Sequence, residues 1–121
     1  IYGMYNCINI VCQVEGKPEA LLIRGVEPLN EIEFLSENRN LIKNVHNLTN
    51  GPGKICKALK INREFSGYDL VTGENLYLEK NESKEKIEVV CSKRVGIDYA
   101  EEYAEKLWRF YIKNNKFVSK K

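Results

Sequence analysis

Two apolar, β-rich runs on either side of a short charged gap constrain the fold of this chain more than any other feature. The runs are residues 5–14 and 20–26, and the gap, residues 15–19, contains Gly16 and Pro18. Glycine and proline in a short charged gap are typical of a turn, so the pattern predicts an antiparallel β-hairpin. Because both runs are largely apolar, we expect strands that are buried on both faces or central in a sheet.

Two polar residues interrupt the predicted strands. Asn9 lies between Cys7 and Cys12, and Arg24 follows three aliphatic residues. A buried amide or guanidinium is unfavourable unless its hydrogen-bonding groups are satisfied. In one interpretation Asn9 bonds neighbouring backbone and Arg24 pairs with a carboxylate such as Glu27. In the other, both line a polar pocket on a rigid sheet. The hairpin sequence alone leaves both open.

Length and charge narrow the class of protein. A chain of 121 residues with 43% hydrophobic content predicts one globular domain, spanning residues 1–121. The net charge of +2 is nearly balanced, but residues 39–63 and 106–121 each carry six basic residues and no acidic one. Such segregation favours a basic face that follows a polyanion, although ordinary solvated faces show the same pattern.

Cysteine and histidine usage argues against a metal site. The four cysteines have no C-x-x-C spacing and the chain has a single histidine, so we expect no metal and thiols that are small buried hydrophobes in a reducing compartment. No apolar run is long enough to span a membrane, and no signal peptide is evident. These features predict an intracellular protein.

A first helix is predicted to open at Pro28 and Leu29 and to end at residues 38–40. Leu29, Ile32 and Leu35 recur at a spacing of three, which is typical of one apolar helix face. We expect this face to cover the sheet.

A second helix is predicted within residues 47–61. Asn50 can cap it and Pro52 suits its first turn. Gly51 and Gly53 allow a close approach to the backbone, and a helix N-terminus beside Lys54 favours phosphate binding. The alternative is an ordinary capped helix with solvated lysines.

The remaining sequence predicts strands at residues 76–79, 87–91 and 108–112 and a short helix at residues 98–107. Trp108, Phe110 and Tyr111 are expected in the core, with Arg109 as the charged member of this aromatic run. Val95 with the glycine after it either presents main-chain atoms to a pocket or forms a β-bulge. The fold class is α+β: a curved antiparallel sheet with short helices on it.

Four segments together resemble one family. IYGMYNCIN, ALLIRGVEPL, LTNGPGKICKALKI and RVGIDYAEEYAEKLWRFYIKNNKFVS occur in the order found in the alkyladenine (3-methyladenine) DNA glycosylases of the vertebrate type. The resemblance runs from residue 1 to about residue 119. It implies a single mixed α/β domain with a barrel-like sheet and a protruding β-hairpin that enters the minor groove of DNA.

The resemblance also implies roles for individual residues. Tyr2 matches the wedge that fills the gap left by a flipped nucleotide, a task that suits a planar ring. Asn9 matches the amide at the floor of the base pocket, and Arg24 matches the arginine that helps to hold the attacking water. Val95 matches the residue whose main-chain carbonyl contacts that water. The candidates for contact with the DNA backbone are Lys54, Gly51 and Gly53.

The family's general base is a glutamate in an E-T-E-A-Y-like motif, which does not occur in this sequence. The chain begins at Ile1 inside an apolar run, which looks like a cut end. We therefore expect it to be the C-terminal part of the family domain. Loss of a general base commonly reduces the rate by ~10²–10⁴-fold, so we expect the chain alone to be nearly inactive.

The implied activity is hydrolysis of the N-glycosidic bond of alkylated or deaminated purines, such as 3-methyladenine or hypoxanthine, in base excision repair. The implied partner is double-stranded DNA containing damaged bases, bound by a monomer without cofactor, metal or membrane. Two alternatives remain. One is a non-catalytic DNA-binding module that recognises damaged or abasic DNA. The other is a domain of similar architecture that binds small molecules or another protein.

Overall fold

The two strands of the N-terminal hairpin pair as predicted but are short. The structure, a computed structural model, describes residues 6–12, 16, 19–81, 85–95 and 103–119. Strand β1 (Asn9–Val11) pairs antiparallel with β2 (Ala20–Leu22), and Asn9 lies opposite Leu22. The main-chain N–H of Ile23 donates to the carbonyl of Ile8 at 3.0 Å, so the pairing continues one residue beyond the assigned strands.

The expected burial of these strands is wrong. Asn9, Val11, Leu21 and Leu22 are all exposed. Within the described ranges β1 and β2 pair only with each other, so each has an edge without a ladder partner. An apolar run has the composition of a buried strand, but the composition does not supply the element that would cover it.

The core lies between two helices, α1 (Ile32–Asn38) and α2 (Pro52–Leu59), which pack against each other. Leu35 of α1, Ala58 of α2 and Leu48 from the intervening loop form its buried cluster. The side-chain amide of Asn38 donates to the carbonyl of Ala58 at 2.7 Å and ties the ends of the two helices together.

The prediction of α1 is confirmed, but its start and its packing differ from expectation. The helix begins at Ile32, because Glu31 before it adopts a left-handed conformation with φ of 56°. Leu29 therefore lies outside the helix and is 89% exposed. The main packing partner of α1 is α2 rather than the sheet.

Helix α2 begins at Pro52 as predicted, at a position where the missing N–H is harmless. Its N-cap is Gly51, which forms no side-chain cap, so the prediction that Asn50 caps the helix is wrong. Ile55 and Cys56 are buried as expected, whereas Leu59 is exposed.

The second sheet consists of β3 (Val89–Ser92) and β4 (Arg109–Ile112), which pair antiparallel. These strands confirm the predictions at residues 87–91 and 108–112 to within two residues. The predicted strand at residues 76–79 is wrong: these residues are irregular, and the N–H of Leu78 donates to the carbonyl of Leu70 at 3.0 Å. The helix predicted at residues 98–107 lies largely outside the described residues, and residues 103–105 form one 3₁₀ turn.

The prediction of core positions is wrong for Trp108 and Phe110, whereas Tyr111 is half-buried. Trp108 and Phe110 are 51% and 59% exposed, whereas Arg109 is only 8% exposed. Alternation puts Arg109 and Tyr111 on one face of the strand and Phe110 on the other. The face turned inward is the one that carries the charge.

The class is α+β: two helices and, in the described part of the chain, two separate two-stranded sheets. Of the four thiols that we expected to be buried, Cys56 is buried, Cys7 is half-buried, and Cys12 and Cys91 are exposed.

Candidate nucleic-acid interface

Asn9 and Arg24 fall on the same face of the β1–β2 hairpin. Asn9 is directly opposite Leu22, and residues directly opposite each other in an antiparallel pair share a face. Arg24 follows Leu22 by two residues, in the stretch where Ile23 still bonds to Ile8, so alternation returns its side chain to that face. The sheet therefore presents an amide and a guanidinium together.

Neither side chain is committed to a structural partner within the residues that the structure describes. Both residues are exposed, and Arg24 forms no ion pair there. The carboxylate of Glu27 instead accepts a hydrogen bond from the side-chain amide of Asn115 at 3.1 Å. The interpretation in which Arg24 pairs with Glu27 is therefore wrong.

The strand that carries Arg24 is joined to the loop before α2 by a two-way contact. The main-chain N–H of Val26 donates to the carbonyl of Thr49 at 3.1 Å, and the hydroxyl of Thr49 donates to the carbonyl of Val26 at 2.7 Å. Thr49 is only 1% exposed. Gly25 is closely packed here, since a Cβ atom on it would lie 3.2 Å from the carbonyl oxygen of Phe117. These contacts fix the chain on the C-terminal side of Arg24.

Lys54 is held over the N-terminus of α2. Its Nζ donates to Oδ1 of Asn50 at 2.8 Å, and Asn50 in turn donates to Oδ1 of Asn47 at 3.4 Å. A Cβ atom on Gly51 would lie 3.3 Å from Cδ of Lys54, so the lysine stem covers one side of this glycine. On that side of Gly51, the close contact that a glycine allows is therefore made by the Lys54 side chain. Lys54 and the free N–H groups of the first helical turn remain a cationic end suited to an anion.

Other residues of the basic run have structural contacts. Nε and Nη2 of Arg39 donate to the carbonyls of Leu48 and Asn47 at 3.2 and 3.3 Å. Nζ of Lys60 lies 5.6 Å from the ring centroid of Phe34. The basic residues of this stretch therefore contribute to local packing as well as to surface charge.

Helix α2 lies close to the start of the hairpin. Burial raises the pKa of the Cys56 thiol, and the neighbouring Cys7 thiol raises it further. Asn6 lines a shallow depression together with Asn62 and Arg63, just beyond the end of the helix. The residues just before β1 therefore lie close to α2.

Val95 is exposed in a turn three residues beyond the end of β3. The preceding residues contact the segment that leads into β4: Nζ of Lys93 pairs with Oε2 of Glu105 at 2.6 Å, and Arg94 lies 5.4 Å from the ring centroid of Trp108. Val95 thus follows the second sheet, whereas Asn9 lies in the first sheet and Arg24 follows it by two residues.

Tyr2 lies outside the described residues, so the structure gives it no position. Among the residues that are described, no cluster of histidine, cysteine or acidic side chains has the make-up of a metal site. The helices of that same part of the chain are all too short or too polar to cross a membrane.

Comparison with known proteins decides the family. Residues 1–116 match the family described as Methylpurine-DNA glycosylase (MPG). The chain belongs to the methylpurine-DNA glycosylase family. The match includes the segments that carry Asn9, Arg24, Lys54 and Val95.

Several bacterial relatives of this family cover almost the whole chain, and each carries the name "Putative 3-methyladenine DNA glycosylase". The Clostridium novyi protein is 53% identical over 128 residues, which cover 100% of this chain and 62% of that protein. The Clostridium acetobutylicum protein is 52% identical, covering 98% of this chain and 60% of its own length. The Natranaerobius thermophilus protein is 44% identical, with corresponding shares of 98% and 61%. The chain therefore spans about three fifths of these relatives.

Two residues that organise the region escaped the sequence reasoning. Thr49 lies within the segment predicted to form the second helix, but nothing local indicates that its hydroxyl reaches back 23 residues. Arg109 carried a usable signal, since a charge within an aromatic run is either exposed or specifically bound. The sequence pattern does not say which.

Proposed function

We propose that this chain is part of a DNA glycosylase that hydrolyses the N-glycosidic bond of alkylated or deaminated purines in double-stranded DNA after base flipping. The observation that carries the proposal is that Asn9 lies opposite Leu22 and Arg24 follows two residues later, both exposed and without a structural partner in the described residues. Polar side chains on a rigid sheet that are not used for stability are available for a ligand. Membership of the methylpurine-DNA glycosylase family says which ligand to expect.

In this proposal recognition is divided between two residues. Tyr2 fills the gap that the flipped nucleotide leaves, and its ring replaces the lost stacking whatever the neighbouring sequence. Asn9 lies at the floor of the base pocket and discriminates against the exocyclic amino group of guanine. The barrel-like sheet and the insertion of the hairpin into the minor groove belong to the same proposal.

The chemistry requires a water molecule placed beside the sugar. Arg24 and the main-chain carbonyl of Val95 hold this water, which attacks C1′ of the flipped nucleotide. The C1′–N bond breaks as the C1′–O bond forms, and the purine leaves with the bonding electrons. The proton of the water passes to a carboxylate general base, a role that we assign to no residue of this chain.

Binding to the DNA backbone is assigned to the start of α2. Lys54, fixed by Asn50 over the first helical turn, places a positive charge beside free main-chain N–H groups, which favours a phosphate. Gly51 and Gly53 keep this end of the helix open on the side that the lysine stem does not cover. We propose that the protein acts as a monomer, without metal or cofactor, in the compartment that holds the DNA.

The decisive experiment is single-turnover release of hypoxanthine and 3-methyladenine from duplex DNA. The 121-residue chain is compared with the product of the complete reading frame that encodes it. We expect the complete product to release base, and Arg24→Gln to slow release about 10²-fold, the usual scale for loss of a positioning group. Lys80→Gln, which removes an exposed charge outside both basic runs, is the matched control and should retain the rate.

A second measurement separates catalysis from binding. Lys54→Gln should reduce the slope of log affinity against log salt by about 0.9, the value for one phosphate contact. If the complete product binds abasic DNA but releases neither base, the chain serves recognition alone and the glycosylase assignment is wrong.

A further inference from the structure

We propose that Arg109 is a positioning residue that fixes the backbone of residues 92–95 and thereby directs the carbonyl of Val95 toward the attacking water. This inference rests on the proposed function, because it gives a structural cause to the placement of that carbonyl.

Arg109 is buried and bound to the last residues of β3. Its Nε donates to the carbonyl of Lys93 at 3.2 Å, and its Nη2 donates to the hydroxyl of Ser92 at 3.4 Å. Its guanidinium also lies 4.7 Å from the ring centroid of Tyr111. A guanidinium removed from water needs such partners, and the carbonyl of Lys93 and the hydroxyl of Ser92 are two of them.

The position of these contacts along the chain is what makes them informative. Ser92 is the last residue of β3 and pairs with Arg109 in the ladder. Beyond Ser92 the chain leaves the sheet, so ladder hydrogen bonds no longer set its direction. The carbonyl that Arg109 holds belongs to Lys93, two residues before Val95. The guanidinium therefore fixes the first peptide group outside the sheet, and with it the path to Val95.

The other contacts of this segment are too exposed to do the same. Lys93 and Glu105, which form the 2.6 Å ion pair, have side chains that are 57% and 73% exposed. Exposed pairs of this kind contribute little, because water screens the charges and both side chains lose rotamer freedom. The contact of Arg94 with Trp108 involves two exposed residues. Among the contacts described for this segment, the buried one is that of Arg109, and it restrains the segment most.

Arginine and lysine are not equivalent in this role. The planar guanidinium donates from Nε and Nη2 in fixed relative directions, which matches the carbonyl of Lys93 and the hydroxyl of Ser92 together. An ammonium group keeps the charge but cannot reproduce both directions. Arg109→Lys therefore removes the geometry while it preserves the charge.

The test compares Arg109→Lys with Tyr68→Phe in the product of the complete reading frame. Tyr68 is a control outside the proposed site, because its hydroxyl forms a side-chain contact with the backbone, accepting from the N–H of Asn75 at 2.9 Å. For each variant three quantities are measured: the single-turnover rate of base release at saturating protein, the protein concentration at half saturation, and hydrogen exchange at the amides of residues 93–95.

We expect Arg109→Lys to lower the saturating rate by at least tenfold with an unchanged half-saturating concentration, since a displacement of about 1 Å in a catalytic group can reduce a rate 10²-fold. Exchange at residues 93–95 should rise. Tyr68→Phe should lose stability to urea while it retains both the rate and the exchange pattern.

The proposal fails if exchange at residues 93–95 is unchanged in Arg109→Lys, or if exchange rises while the rate stays the same. It also fails if the two variants lose rate in proportion to their loss of stability. If the unsubstituted protein itself releases no base, the proposed function fails together with this proposal. If the unsubstituted protein is active and only the behaviour of Arg109→Lys differs from expectation, this proposal alone fails.

Discussion

Replacing Thr49 with valine removes the hydroxyl that ties the strand of Arg24 to the start of α2. The side chain is buried and its Oγ1 donates to the carbonyl of Val26 at 2.7 Å. Valine has nearly the same shape but no donor, so the carbonyl loses its partner in a place that solvent barely reaches. Such a loss destabilises a protein by about 1–3 kcal/mol. The reciprocal bond from the N–H of Val26 to the carbonyl of Thr49 is retained, because it is main-chain.

The assay is urea unfolding followed by circular dichroism. With a slope of about 2 kcal/mol per molar urea, a loss of about 2 kcal/mol lowers the midpoint by roughly 1 M. Thr49→Ser keeps the hydroxyl and loses one buried methyl group, which should destabilise by about 1 kcal/mol. Ser66→Ala removes a hydroxyl at an exposed position and should stay within about 0.5 kcal/mol of the original protein.

Thr49→Val also tests whether the contact between Thr49 and Val26 affects base release as well as stability. If the contact between Thr49 and Val26 fixes the segment of Arg24, Thr49→Val should slow base release as well as unfold earlier, whereas Ser66→Ala should do neither. A midpoint for Thr49→Val that matches that of the unsubstituted protein would refute the reasoning, since the hydroxyl would then have no structural role.

Three further predictions concern other parts of the chain. Phe110→Ser should change the free energy of unfolding by no more than about 0.5 kcal/mol in the same urea assay, because the ring is exposed. Iodoacetamide should label Cys12 well before Cys56, as read by mass spectrometry over time, because Cys12 is exposed and burial raises the pKa of the Cys56 thiol. The N–H of Val71 is the main cause of the lowered pKa of Asp69, so the carboxylate stabilises the fold above the ordinary aspartate range and loses that effect as the pH falls through the lowered pKa. Asp69→Asn should therefore show a smaller loss of stability on acidification below pH ~4 in a pH series of urea midpoints.

The elements that local chemistry determines could be predicted from the sequence. Glycine and proline between two apolar runs gave the antiparallel pairing of β1 and β2, and Pro52 gave the start of α2. The boundaries were less predictable. α1 starts at Ile32 because Glu31 is left-handed, a conformation that carries no clear sequence signal for a glutamate.

The candidate site could be predicted only in part. The resemblance picked out Asn9 and Arg24, and the strand register gives a physical reason to consider them together. The contact between Val26 and Thr49 could not be predicted, because it joins residues 23 positions apart through a turn, a helix and a loop. Local sequence fixes periodicity, whereas such contacts depend on how the elements pack.

The second sheet could also be predicted only in part, because the sequence does not show which face of β4 is buried. Strand alternation in β4 predicts two sets of side chains, one with Phe110 and one with Arg109, but a period of two does not say which set faces the protein. Hydrophobicity alone favours burying Phe110, and the structure does the opposite. Lys93 and Ser92 help to make the burial of Arg109 favourable, because they offer acceptors at the point where β3 ends. If the sole requirement were stability, an apolar residue of similar volume would serve that position as well or better. The inward arginine is therefore best understood through what it holds, the peptide that leads out of the sheet toward Val95.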